Sequence, residues 1–312
     1  MAEGSIEDQI VSRFGLEGDV AHEDGAAVLL PARSNLSLSW YRFRRHRMAL
    51  LGGVLLLIIL VGCLVVPFFF PPDAANATSF DIQQPPSPAH LLGTDEDGRD
   101  IAMRLLVAGR VSLAVGFVAM SAAAVMGTLL GVLAGFFGRW ADVAVMRATD
   151  VLLSIPTIYM LIVLAVLLGP SFTSMIIAIG LLSWMELARI VRASTLSLRE
   201  KEFVDAARAL GVSNATIMRR HILPSMLGAI VVAGTLGIAN AVVLETTVSY
   251  FGLGIQPPTA SWGNMLSNSQ IEMWTSPWLA IFPGMMILLT LLSINFLGDG
   301  LRDALDPHGT HH

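Results

Sequence analysis

Uncharged apolar runs separated by short polar segments pattern most of the chain, and their lengths predict its elements. Met48 to Pro72 is 25 residues without a charge, Val111 to Gly138 is 28, and Val151 to Met185 is 35. Met226 to Leu244 and Trp278 to Gly298 complete the series. About 20 apolar residues carry a helix across a bilayer core, so each run predicts a span. The 35-residue run is too short for two such helices plus a loop, yet Gly169-Pro170-Ser171 interrupts its middle. Two helices there must take in flanking polar residues: Asp150 in the third span, and Glu186, Arg189 and Arg192 in the fourth. Glu186 is expected to pair with Arg189 or Arg192. The pattern predicts an all-α membrane protein of six transmembrane helices.

The polar segments orient these spans. Arg42, Arg44, Arg45 and Arg47 crowd the start of the first, and Pro67 and Pro71-Pro72 end it. Arg139, Asp142 and Arg147 mark a short turn after the second. With both termini in the cytoplasm, only Arg99, Arg104 and Arg110 of the 19 Lys and Arg residues lie outside, as the positive-inside rule requires. Trp262, Trp274 and Trp278 then form an outer aromatic belt. Glu245 ends the fifth span, near enough to its edge for water or an arginine to reach. The external stretch Pro71 to Arg110 is broken by Pro85-Pro86 and Pro88 and carries the acids Asp95, Glu96, Asp97 and Asp100. Arg99 and Asp100 spoil a calcium loop, so a capped turn leading into a short helix is expected.

Composition agrees: 54% hydrophobic and 14% charged residues, with a mean hydropathy of +0.68, exclude a soluble domain. A lone Cys63 inside an apolar run forms no intramolecular disulfide or thiolate metal site. The one lysine, Lys201, lies in no Gly-Lys-Ser/Thr string, so the chain has no phosphate-binding P-loop. His22, His46, His90, His221 and His308 are scattered over loops and tails, with no catalytic grouping. The arginines before the first span read as a membrane-orienting cluster and as no nucleic-acid site. Residues 1–35 are acidic and do not read as a signal peptide; Ile6, Ile10, Val11 and Phe14 have helical spacing. The closing Gly309-Thr310-His311-His312 is no basis for a metal site.

Between the fourth and fifth spans lies a polar, helix-prone stretch, Glu202 to Pro224. Phe203, Ala206, Ala207 and Leu210 share one side of its first half. Gly211 suits the left-handed residue after a helix end, Ser213 suits the N-cap of a second short helix, and Pro224 marks the return to the membrane. Asp205-Ala206-Ala207, Gly211 four residues after Ala207, and Leu223-Pro224 together resemble the EAA loop of ABC importer permeases, with Asp205 where glutamate is commonest. Further strings point the same way: Leu92 to Asp100, Met103 to Leu106, Gly109 to Leu113, Tyr250 to Thr259, Ser261 to Leu266, and Gly298 to Pro307. They resemble the C-type permease subunits of dipeptide, oligopeptide and nickel importers.

That resemblance covers about residues 38 to 308 and implies a type I ABC importer permease fold with a cytoplasmic coupling helix pair. It implies a cytoplasmic tail over 1–47, a first helix and external loop over 48–110, a five-helix core over 111–302 with the coupling loop 202–224, and a cytoplasmic tail over 303–312. The ATPase-coupling residues would be Phe203, Asp205, Ala206, Ala207, Gly211, Leu223 and Pro224. The partners would be a related B-type permease, two ABC ATPase subunits or domains, an extracytoplasmic binding protein and membrane lipid. No cofactor is expected on this chain, ATP and magnesium being held by the ATPases, and the chain is expected not to be an enzyme. Its place would be the bacterial inner membrane. Peptide is the leading cargo, with nickel or a metal chelate as the alternative; a non-transporting membrane receptor or scaffold is the reading from another class.

Overall fold

A computed structural model describes residues 35–71 and 73–305; the Ile6 to Phe14 helix and the Gly309 to His312 ending lie outside them. Eleven α-helices follow one another among these residues, with no strand beyond an isolated Thr94–Asp100 bridge. Helix α1 (Asn35–Arg45) passes through His46 into α2 (Arg47–Val65), which ends in a 3-10 turn, Val66–Phe69, begun at Pro67. His46 caps α2, its Nδ1 accepting the Ala49 N–H at 3.0 Å. The chain then makes the external loop and enters α3 (Ile101–Phe137), α4 (Arg139–Leu153), α5 (Thr157–Leu168) and α6 (Phe172–Arg199). Short α7 (Glu202–Ala209) and α8 (Asn214–Ile217) lead to α9 (Leu223–Tyr250), α10 (Trp262–Glu272) and α11 (Trp278–Leu305).

Five of these are long and apolar enough to cross a membrane: Arg47–Phe69, α3, α6, the run Asn214–Tyr250, and α11. The remaining apolar stretch is a bent pair that makes a sixth span only if its two helices count as one. Helices α4 and α5 meet at 88° across Ser154 to Pro156, where Pro156 disfavours helical backbone at Ile155 and supplies no N–H. The short turn expected at Arg139, Asp142 and Arg147 is thus the first part of a helix, since only glycine and proline reliably stop one and none follows Gly138 until Pro156.

The second span also begins earlier than its uncharged run suggests. Asp100 caps α3 by accepting the Met103 N–H at 3.1 Å, so the short helix expected beyond the capped turn is the outer end of the span itself. The boundary drawn at 110/111 falls inside α3. Its two arginines are accommodated by protein: Arg104 is buried 3.4 Å from Asp95, and Arg110 donates to the carbonyls of Cys63 and Leu64 at 2.7 and 2.8 Å. Asp95 also takes Arg99 at 2.7 Å and the backbone N–H groups of Asp97 and Arg99, which commits the acids that suggested calcium.

The centre of the bundle is the α3–α6 seam. Gly127, Gly131 and Gly135 recur every fourth residue along α3, and a Cβ on any of them would lie 2.6 to 2.7 Å from Trp184 O, Ala188 O or Thr195 Cβ of α6. Bare backbone lets the helices approach closely, and that dispersion contact holds spans together where lipid removes the hydrophobic incentive. Trp262 departs from the aromatic-belt expectation: it is 0% exposed, with its indole N–H donating to Leu105 O at 3.0 Å. Trp274, 91% exposed, is free to serve that role.

Candidate functional site

The first candidate surface is the elbow between α6 and α9. Helix α7 closes with Gly211 at φ +76°, the Gly211 N–H donating to Arg208 O at 2.9 Å and the Val212 N–H to Ala207 O at 3.1 Å. These two bonds define a Schellman stop, the left-handed conformation expected of Gly211. Ser213 Oγ then accepts the Thr216 N–H and caps α8. Val204 and Ala207 face inward onto Ile217, Ile222, Val191 and Met226. Ala207 therefore belongs to the buried face, while Phe203, Ala206 and Leu210 form the outward one. Leu210 is 83% exposed, and the charges beside it, Asp205 and Arg208, pair at 3.2 Å near the surface.

The second half of the elbow is no separate helix. From Asn214 the chain runs through α8, a π-helical turn over Met218–Ile222 and into α9, unbroken to Tyr250. Pro224 cannot donate to the Arg220 carbonyl and its ring would clash there; the wider π turn relieves both, and the Leu223 N–H reaches Met218 O. Leu223 and Pro224 therefore lie inside a continuous helix. The Phe203 and His221 rings lie 6.3 Å apart and tie α7 to this turn.

Further along the same helix, α9 forms one wall of an open cavity of about 390 Å³. Its other walls come from α6, from Met120 of α3 and from Leu153 and Thr157 at the α4–α5 bend. Most of the lining is aliphatic; Thr157, Ser183, Glu186 and Asn240 supply the polar groups. Glu186 is exposed in this cavity and makes no ion pair among the described residues. The expected pairing with Arg189 or Arg192 fails because both arginines turn to α4: Arg189 meets Asp150 at 2.6 Å, and Arg192 grips both carboxylate oxygens of Asp142. Thr157, Ser183 and Asn240 were passed over in the sequence; an asparagine inside an apolar span was the available signal.

Near the C-terminal end of α9 lies a closed polar knot. Glu245 is 0% exposed; Ser112 Oγ of α3 donates to one of its oxygens at 2.9 Å and Ser249 Oγ to the other at 2.8 Å. Each serine oxygen accepts a loop N–H in turn, Trp262 at 3.2 Å and Ile255 at 3.1 Å. Water and arginine were expected at Glu245 because its span was taken to stop there; α9 continues another turn, so serines meet the acid. Among the described residues no group of His, Cys, Asp and Glu could hold a metal.

The chain is thus a bundle of apolar helices with an exposed elbow and a cavity along one continuous helix, and its family is shown by similarity to known proteins. Residues 127–310 match the family described as binding-protein-dependent transport system inner membrane component, and residues 34–86 match the N-terminal transmembrane domain of oligopeptide transport permease C. The dipeptide transport system permease protein of Alkalihalophilus pseudofirmus is 39% identical over 85% of this chain and 88% of its own length. The oligopeptide transport system permease protein of Haemophilus influenzae is 40% identical over 85% and 86%, and the glutathione transport system permease protein of Pectobacterium atrosepticum 39% over 86% and 89%. The chain belongs to the family of binding-protein-dependent transport permeases. It is a multi-pass inner membrane protein and a transport component of an ABC importer, a class that works with an ATPase, a binding protein and a second permease.

Proposed function

We propose that the chain is one of two permeases of an ATP-driven peptide importer, with both termini in the cytoplasm and the elbow 202–224 docked on an ATPase subunit. Hydrolysis, ATP and magnesium belong to the ATPases; this chain supplies the path. The peptide assignment draws on the relatives, which are named for dipeptide, oligopeptide and glutathione transport. The continuity of the helix from Asn214 to Tyr250 carries the mechanistic reading. A displacement of the elbow is transmitted along one stiff rod, at about 1.5 Å of rise per residue, to the cavity wall at Ala233 to Leu244.

The docking face has the make-up of a protein interface: Phe203, Ala206 and Leu210 stand clear of the bundle, with Asp205 and Arg208 at the rim. Val204 and Ala207 anchor it from beneath, so the face is presented rigidly. The test is recovery of ATPase on purification of the membrane complex. Leu210→Asp and Asp205→Arg should each lower the ATPase bound by tenfold or more while leaving permease levels normal, since a charge forced into a docked groove costs about 2 to 5 kcal/mol. Asp205→Glu should be tolerated. Normal ATPase recovery and normal solute-stimulated hydrolysis in both disruptive variants would sink the coupling role.

A further inference from the structure

Glu186 is the one charged group lining the cavity, and the coupling mechanism leaves its chemistry unused. It stands in α6 directly after the uncharged run that ends at Met185, with Arg189 and Arg192 following it. A carboxylate bordering an apolar span is retained where it meets a partner or a water-filled path. The cations nearest in sequence are already committed, Arg189 to Asp150 and Arg192 to Asp142, both turned toward α4. Glu186 instead lines the cavity with Thr157, Ser183 and Asn240, three neutral groups able to donate to and accept from amides.

We propose that Glu186 is a cargo-contacting residue of this permease, its carboxylate receiving a cationic group of the passing solute, in a peptide the terminal ammonium. The neutral polar groups then meet the peptide bonds, and the aliphatic walls take the side chains. A volume of about 390 Å³ suits two or three small residues and falls within the usual range of small-ligand sites, roughly 300 to 1,000 Å³. A single exposed charge in the cavity gives orientation with weak retention, which a conduit needs, because a solute held by several charges would not leave. This inference rests on the peptide-importer reading.

The test uses the complete importer in proteoliposomes, with trialanine and N-acetyl-trialanine as probes. Binding of each to the nucleotide-free complex without its binding protein is measured alongside trialanine uptake. Glu186→Gln should weaken trialanine binding about tenfold, the worth of one charge-assisted contact, leave the acetylated probe unchanged, and slow uptake. Glu186→Asp should keep most of the preference for the free amine. Equal effects on both probes, or no effect on either, would overturn the assignment while unaltered wild-type uptake left the importer reading standing. Loss of the second permease from the Glu186→Gln complex would also overturn it, marking Glu186 as an ion-pair partner across the permease interface. A wild-type importer that takes up no peptide would remove the reading on which the assignment rests.

Discussion

The two ends of the Asn214–Tyr250 helix are built on opposite principles. At its C-terminal end Glu245 takes two serine hydroxyls, and those serines take the N–H groups of Trp262 and Ile255. Before its N-terminal end, on and just after α7, a phenylalanine and a leucine are exposed beside a surface ion pair. The first arrangement makes a fixed point, because a satisfied buried network has one geometry and resists losing it. In the proposed importer the second is the handle, because exposed apolar area gains by being covered, and the cavity lies between the two.

The largest effect should come from destroying the fixed point. Glu245→Lys places an ammonium in a buried site whose serines would have to turn their hydrogens away. Uncompensated buried charge costs about 3 to 5 kcal/mol, enough to threaten the fold. Permease recovered from membranes should fall severely and its melting temperature in detergent should drop, whether or not the ATPase is present. Recovery equal to wild type would mean the knot does not hold the C-terminal end.

A smaller loss isolates the loop. Ser249→Ala removes one donor to Glu245 and the acceptor of the Ile255 N–H, both buried. Leaving such groups unpaired costs about 1 to 3 kcal/mol. Proteolysis within the external segment Phe251 to Ala260 should accelerate several-fold, while ATPase binding at the far end stays normal. Weakened ATPase recovery in this variant would show that the two ends are not separable.

The same contrast explains what could be read from the chain. The elbow end was legible because its signals are local: an acid and two alanines, then a glycine where a helix stops and a serine where one starts. The separate second helix expected there is absent, because a π turn carries Pro224 inside a helix that continues to Tyr250. The C-terminal end was illegible because Ser112 and Glu245 are 133 residues apart, and nothing in either neighbourhood announces the other. Glu186 shows the same limit from the other side. Its spacing to Arg189 and Arg192 suits a pair on one helix, but the arginines find Asp150 and Asp142 across the α4–α6 contact. Five of the six spans read from apolar length are single helices, whereas the break at Pro156 in the other and the early start of α3 depended on backbone chemistry and capping inside or beside the runs.

The mildest prediction tests whether the handle depends on its backbone stop. Gly211 sits at φ +76°, and a Cβ there would meet nothing within 4 Å, so substitution is opposed by conformation and not by packing. A β-branched residue is strongly disfavoured in that region, whereas asparagine visits it readily. Gly211→Val should cost about 1 to 2 kcal/mol locally, turning Leu210 and the end of α7 away from their docked position. Gly211→Asn should keep the stop and cost only a few tenths. Because the strain is local, the melting temperature of the whole permease should hardly move in either case. ATPase recovery and solute uptake should fall several-fold for valine and stay near wild type for asparagine. If valine and asparagine reduced uptake alike, space around Gly211 in the assembled importer would be the constraint and its left-handed turn would not; full activity for both would show that the elbow does not need this stop.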